Sequence, residues 1–384
     1  MDRITKNILL ILSKPGLKPS RFMEVYERNS CNIEKTIGYF NKNCIFEIQH
    51  FKLQENELPG PAIKMDALLN YLSEEKIGLI NISQNDYPKL LKQIHMPPPL
   101  IFYKGEKIKE CGLRIAVVGT RKYTSYGKDA AIYIAGRLSE IGITVVSGMA
   151  VGIDYWAQKE AIKYKGGSIG VLGCGINIIY PPENKDLFEE IINNGSIITE
   201  FFPDTKPYKN NFPARNRVIS GLCGGVIVIE AGEKSGALIT SDFALSQNRE
   251  VFAVPGSIFN YESKGCNRLI KNGAKLVQDV DDILEEISQF QNYFKLNETG
   301  GSIEKKNRKK ISRFLSRKDN IGINGQKLKP EEKTIFDLLG CRPKSLEEII
   351  RITGFGVNRT LQAIAELELK NLIKEKNLNE FVRI

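Results

Sequence analysis

The chain has 384 residues, a formal net charge of +10, and 42% hydrophobic and 26% charged residues, an ordinary soluble composition with room for two or three domains. No stretch approaches the roughly 18 apolar residues of a membrane span, and Pro15 and Gly16 break the short apolar run near the N-terminus, so neither an anchor nor a signal peptide is expected. Seven scattered cysteines without a C-x-x-C pair, and only His50 and His95 as imidazoles, argue against a disulfide framework or a structural zinc site and for reduced thiols in a cytoplasmic protein.

Residues 1–75 read as short helices (ITKNILLILS, SRFMEVYERN, IEKTIGYF and MDALLNYLSEEK). The piece LSKPGLKPSRF has the look of half a helix-hairpin-helix, whose tight turn offers backbone N–H groups to a phosphate. A small helical bundle is the default for it, and a SAM-like domain is a further possibility. Residues 76–110 include the prolines 97–99, which fit neither a helix nor a central strand; an extended connector is expected there.

From 111 to 287 the pattern alternates seven short apolar runs (RIAVVG, ITVVSG, GSIGVLG, SIITE, GGVIVIEA, EVFAVPG, AKLVQD) with amphipathic helical stretches. Near-continuous apolar runs are what strands covered on both faces require. Strict alternation then predicts an α/β domain, a Rossmann-like doubly wound parallel sheet. Residues 288–327 are polar and aperiodic, a flexible linker. Between Ser288 and Pro330 eleven Lys or Arg face three acids, so most of the net charge sits there and the remainder of the chain is close to neutral. Residues 328–384, three helical stretches and a hairpin pattern, predict a winged helix.

In a doubly wound sheet, ligands sit beyond the carboxyl ends of the strands, so the residues after each strand are the site candidates. After the first comes GTRKYTSYG, which is not a dinucleotide fingerprint. Gly119, Thr120 and Arg121 there, before a helix start, suit an anion, although a surface ion pair would also account for the arginine. Ser147 and Gly148 of SGMAVGID form a turn in which amides approach a phosphate closely; Asp154 is best placed to charge the first helical turn. Lys185 suits phosphate, while Phe188, one turn on, is either a base-stacking ring or part of the apolar stripe Leu187, Ile191, Ile192. Arg215, Asn216 and Arg217 of FPARNR suggest bidentate phosphate binding; pairing of one arginine with Glu200 or Glu230 is the structural alternative. Ser235 and Gly236, and then Lys264, complete the edge. No histidine lies between 113 and 287. No nucleophile–base pair, Walker-A sequence or metal-ligand cluster is legible, so neither a cofactor nor catalysis is expected.

At these residues the chain resembles the DprA/Smf family of DNA-processing proteins. The matching pieces are VVGTRKYTSYG, VVSGMAVGIDYWAQKEA, IGVLGCGINIIYPPENKDLF, TEFFPDTKPYKNNFPARNRVISGL, VIVIEAGEKSGALIT and REVFAVPGSIFNYESKGCNRLIKNGA. The resemblance implies a non-catalytic protein that binds single-stranded DNA without sequence preference, self-associates through the Rossmann-like domain, protects incoming strands in natural transformation and helps load the RecA recombinase. The family's DNA contacts would fall on Arg121, Lys185, Phe188 and the FPARNR arginines. One departure is Met149 and Gln158, where the family usually has a small residue and a histidine. Two competing readings are a nucleotide sensor or nucleotide-processing enzyme of a related Rossmann-like family, whose P-G-G-x-G-T segment is missing here, and a duplex-binding transcription factor. For the latter the presumptive recognition helix offers few cations beyond Arg359.

Overall fold

The computed structural model describes residues 2–14, 17–49, 65–108, 113–287, 328–339, 344–370, 372–377 and 380–383. The Pro15–Gly16 turn and the basic linker 288–327 lie outside them. Contacts divide the chain into two units, Met1–Lys295 and Leu296–Ile384.

In the first unit, helices α1 (Arg3–Leu12), α2 (Pro19–Arg28), α3 (Ile33–Gln49) and α4 (Met65–Glu74) precede a nine-stranded sheet. Seven strands are mutually parallel: β3 (Arg114–Val118), β4 (Thr144–Ser147), β5 (Ser168–Val171), β6 (Gly195–Thr199), β7 (Gly225–Val228), β8 (Glu250–Ala253) and β9 (Lys275–Leu276). They coincide with the seven apolar runs. All five residues of β3 and all four of β5 and of β7 are buried, which is why those runs do not alternate with polar residues. With β1 (Gly78–Asn81) and β2 (Leu100–Gly105) at one side, the spatial order is β1-β2-β6-β5-β4-β3-β7-β8-β9. The chain therefore moves outward from β3 to β6, then crosses back to add β7 on the other side of β3. That reversal is the topological switch, the crevice where such folds bind ligands.

Connecting helices α6 (Ser125–Glu140), α7 (Ile153–Ala161), α8 (Lys185–Asn194), α9 (Asn211–Gly221), α10 (Ala237–Ser246), α11 (Lys264–Lys271) and α12 (Val280–Glu286) lie between the parallel strands and after them. The stretch expected as an extended connector is instead part of the sheet. Residues 78–81 and 100–105 form β1 and β2, with the four-residue helix α5 (Lys89–Lys92) between them. β2 pairs antiparallel with both β1 and β6. The prolines do not prevent this because they lie just before β2, where no ladder donor is needed. Nor do the N-terminal helices stand apart from the sheet. Ile8, Phe22, Ile80, Phe102 and Ile198 belong to one continuous core, and the buried Asn81 Nδ2 donates to Thr5 Oγ1 at 2.7 Å.

The second unit has helices α13 (Pro330–Leu338), α14 (Leu346–Thr353) and α15 (Val357–Leu369). A three-stranded sheet in the order β10 (Lys344–Ser345), β12 (Glu380–Arg383), β11 (Ile373–Asn377) completes the winged helix. Its own core includes Ile335, Phe336, Ile349, Leu367 and Phe381.

Arg217 of α9 fastens the β1–β2 stretch to the sheet. Its guanidinium donates to the Met96 carbonyl at 2.7 Å and pairs with Glu200, just beyond β6. Burial raises the Glu200 carboxyl above its usual range, and Arg217 holds it down. Arg217→Ala leaves that carboxylate buried without a partner, and a loss of about 3–5 kcal/mol in urea unfolding at pH 7 is expected. Without the arginine the Glu200 carboxyl rises further, so the deficit should shrink as pH falls and protonation discharges it. A deficit independent of pH would place the loss elsewhere than on the stranded carboxylate.

Candidate nucleic-acid interface

Because the central strands run parallel, the segments that follow β3 to β8 all emerge at one edge of the sheet. The first of them, 119–124, is tied down from within. The Thr120 N–H donates to the Glu230 carbonyl at 2.7 Å, and the Lys122 N–H donates to Thr120 Oγ1 at 3.1 Å. Thr124 caps α6 by accepting from the Gly127 N–H at 3.1 Å. Glu230, 1% exposed, points its carboxylate at this helix start. Oε2 accepts from the Thr124 N–H at 2.8 Å, and Oε1 from Thr124 Oγ1 at 2.8 Å and Asn260 Nδ2 at 3.2 Å. Gly127 is required here, since a Cβ would stand 2.1 Å from Glu230 Oε2. The N-terminus of α6, expected from the sequence to take an external anion, thus already holds an internal one. Arg121 is left outside this arrangement. It is exposed and has no hydrogen bond or ion pair among the described residues; its guanidinium carbon lies 5.9 Å from the centre of the Phe212 ring.

The segment after β4 is built around a buried charge pair. Arg215, 5% exposed, donates to the Gly148 carbonyl at 2.6 Å and to the Val171 carbonyl. Asp154, in the first turn of α7, accepts from the Gly148 N–H at 3.0 Å. A Cβ on Gly148 would lie 2.8 Å from both Arg215 Nη2 and Asp154 Oδ2, so glycine is what lets the chain pass between them. Burial draws the Arg215 guanidinium down to about 10, with Asp154 opposing. Burial also raises the Asp154 carboxyl, against the pull of Arg215 and the Gly148 N–H. The next residue, Met149, has φ of 56°, a costly conformation for a side chain with a Cβ. Both of its peptide groups are held: its N–H donates to Gln158 Oε1 at 3.1 Å, and its carbonyl accepts from Asn184 Nδ2 at 2.8 Å. Gln158 in turn donates to Ser168 Oγ at 3.1 Å. The glutamine that departs from the family pattern is therefore a buried brace of this turn.

Between these segments lies a shallow cleft with about 30 Å³ of space, lined by Arg121, Gly148, Met149, Tyr180, Phe212 and Arg215 among others. That volume admits about two water-sized groups, enough for a phosphate oxygen or two but not for an enclosed nucleotide. Tyr180 and Phe212 pack at 5.4 Å between ring centres, and Arg215 approaches Phe212 from 5.9 Å, as Arg121 does.

The expected site residues separate accordingly. Arg121, Gly148 and Arg215 meet at the cleft. Arg215 is engaged through Nη1 by two carbonyls and through Nε by Asn216, whose Oδ1 accepts at 3.1 Å, and it forms part of the cleft's wall. Arg217 is corrected outright, because its guanidinium is spent on Glu200 and Met96. Phe188 is corrected as well: at 6% exposure it sits in the core beside Leu187 and Ile191, with no face open for a base. Ser147 is buried and donates from Oγ to the Val117 carbonyl at 2.6 Å, and the Gly148 N–H is taken by Asp154, so neither offers a donor to a ligand. Gly119 is a packing position, where a Cβ would strike Ile153 at 2.6 Å. Thr120 is buried. Lys185 is exposed at the start of α8, 3.9 Å from Glu189, a weak pairing in solvent; its neighbour Asn184 braces Met149, which places it by the cleft. Ser235 accepts from the Ala237 N–H at 3.4 Å at the start of α10, where Gly236 is exposed. Lys264 is exposed, 5.7 Å from the Tyr261 ring centre. Sequence reasoning passed over Tyr180 and Phe212, although Phe212 opens the FPARNR segment, and gave no sign of the Glu230 clamp.

A family model described as DNA recombination-mediator protein A matches residues 78–288, and one described as DprA winged helix domain matches 324–376. The DNA processing protein DprA of Bacillus subtilis is 42% identical over 236 residues, covering 61% of this chain and 80% of that protein. Protein Smf of Synechocystis is 34% identical over 388 residues, covering 98% and 92%. The X-ray structure of DprA from Streptococcus pneumoniae superposes with a TM-score of 0.60 at 36% identity, over 74% of this chain and 99% of that one. A Helicobacter pylori structure of DNA processing protein A, described for its single-stranded DNA binding mode, gives 0.51 at 30% identity, over 56% and 98%.

The thiol at this edge gives a further measurable consequence. Cys174 lies behind the cleft, its Sγ 3.4 Å from the Ile178 carbonyl, and burial pushes it up to about 11, with Arg215 opposing. Its reactive thiolate therefore forms only as pH rises toward that value. In the native protein at pH 8, mass spectrometry after iodoacetamide should find Cys31, which is exposed, alkylated first and Cys174 protected until denaturant is added. Alkylation of native Cys174 at a rate matching Cys31 would contradict this environment.

Proposed function

This chain belongs to the DNA recombination-mediator protein A family, whose curated members carry the names DprA and Smf, and on that premise we propose that it holds single-stranded DNA along the sheet edge at Arg121 and performs no chemistry on it. Arg121 carries the reading. It is an exposed guanidinium without an ion pair among the described residues, beside an aromatic pair, at the mouth of a cleft. A cation for the phosphate with rings near it for a base is the combination that single-strand binders use.

The non-catalytic half of the proposal is supported by the same edge. The described thiols there are buried and raised, Cys174 to about 11 and Cys266 to about 12. The buried acids Asp154 and Glu230 are bound into the backbone. A mononucleotide reading meets two obstacles: Glu230 occupies the start of α6, and the cleft is too small to enclose a nucleoside. A duplex-reading winged helix is disfavoured because Arg359 pairs with Glu331 within its own domain. Exposed Val357 and Leu361 on the same helix fit a protein contact better. Following the family resemblance, we extend the proposal to a cytoplasmic protein that self-associates through the Rossmann-like domain and delivers protected strands to the RecA recombinase.

The test is a salt series with a fluorescent oligonucleotide and the full chain. Wild type should prefer single strand to duplex, with affinity falling steeply as salt rises. Arg121→Ala should weaken binding about tenfold or more and reduce the log–log salt slope by about 0.7, the value of one phosphate contact on a single strand. Lys185→Ala should act in the same direction and Arg217→Met should not. An unchanged affinity and slope in Arg121→Ala would refute the assigned site.

A further inference from the structure

The loop between β8 and α11 sends two apolar side chains into solvent, Ile258 at 75% exposure and Phe259 at 94%. They are not the ends of a loose segment. The Gly256 N–H donates to Asn267 Oδ1 at 3.2 Å, and the Gly256 carbonyl accepts from Asn267 Nδ2 at 3.1 Å. The Pro255 carbonyl accepts from the Tyr126 hydroxyl at 2.7 Å. Asn260 accepts from the Glu262 N–H at 3.0 Å and donates to Glu230 Oε1 at 3.2 Å. Glu230 also holds Thr124, three positions from Arg121, so this loop and the Arg121 loop are clamped to one carboxylate.

Around the tip, Tyr126 and Tyr261 are exposed, and Lys264 stands 5.7 Å from the Tyr261 ring. Lys122 and Lys234 are exposed on the neighbouring segments. Strands β3, β7 and β8 are successive neighbours, which places the end of β8 about 10 Å from that of β3 at ~4.8 Å per strand. That is the reach of one or two nucleotides. Exposed rings interleaved with solvated ammonium groups make a stacking platform for unpaired bases, and ring faces accept any base.

We propose that Phe259, with Tyr261 beside it, is a base-stacking position that carries a bound single strand from Arg121 across the ends of β7 and β8. The inference rests on the reading that single-stranded DNA lies along this edge. At 94% exposure Phe259 packs against little among the described residues, so its replacement alters the surface. A ring displaces no counterions, so it contributes to affinity without contributing to the salt slope.

The experiment compares full-length wild type, Phe259→Ala, Phe259→Trp and Arg121→Ala on a fluorescein-labelled oligothymidylate of about 20 nucleotides across a salt series, with sedimentation of each protein alone. Phe259→Ala should weaken binding about five- to 100-fold, the range of one lost base stack, at an unchanged slope. Phe259→Trp should restore it, and sedimentation should not change. Affinity equal to wild type in Phe259→Ala, beside a weakened Arg121→Ala, would overturn this inference and leave the Arg121 site standing. A change in sedimentation with DNA binding intact would also overturn it, assigning the tip to contact between copies of the chain. No binding by wild type would remove both readings together.

Discussion

A guanidinium taken out of water must find acceptors, and the way Arg215 finds them sets the shape of the whole edge. It reaches from α9 to the carbonyls of Gly148 and Val171 and faces Asp154. One side chain thereby joins the segment that follows β4 and the end of β5 to the helix that follows β6. A buried pair of this kind is a poor source of net stability, since desolvating both ions consumes most of their attraction. What it supplies is position. Gly148 has to be glycine to pass between the two charges, and the turn at Met149 is held at a positive φ by amide side chains on both sides.

With its inner arginine committed, the edge divides its cations by role. Arg215 and Arg217 are internal, held by carbonyls and carboxylates; Arg121, Lys185 and Lys264 remain in solvent. Only solvated cations can exchange counterions for phosphates, and only they give salt-dependent affinity. The internal ones determine where the outer ones stand. The near-neutral charge of the folded core fits this division, because on the proposed reading a few placed cations replace a globally basic surface.

The division also marks where sequence ceased to be legible. The seven parallel strands were readable because burial on both faces leaves a local trace, an unbroken apolar run. The segments after them were readable as a site because the topology of a doubly wound sheet puts them together. That both arginines of FPARNR face inward was not, since the acceptors of Arg215, Gly148 and Val171, and those of Arg217, Met96 and Glu200, are distant from them in sequence. Phe188 had both readings open, and packing against Leu187 and Ile191 decided for the core. The strands at 78–81 and 100–105 were hidden by the prolines between them: β2 is an antiparallel addition beside β6, whose pairing depends on a partner almost a hundred residues away.

Glu230 has the widest consequence for what the edge can recognise. In a nucleotide-binding sheet the start of the helix after the first parallel strand is left empty, and a phosphate completes it. Here a carboxylate from the adjacent strand's end completes it instead, accepting from the Thr124 N–H and hydroxyl, and Gly127 leaves the room for it. The start of α6 is closed by the domain's own side chain, so on the proposed reading an external phosphate is met further out, by Arg121 in solvent. A single guanidinium at an open cleft is a weak trap for a free nucleotide, which has one phosphate group to offer and little surface to bury. A strand offers a phosphate at every step and exposed bases between them, so many such weak contacts add along its length. On that reading, a filled internal anion site lowers affinity for the monomer and leaves affinity for the polymer.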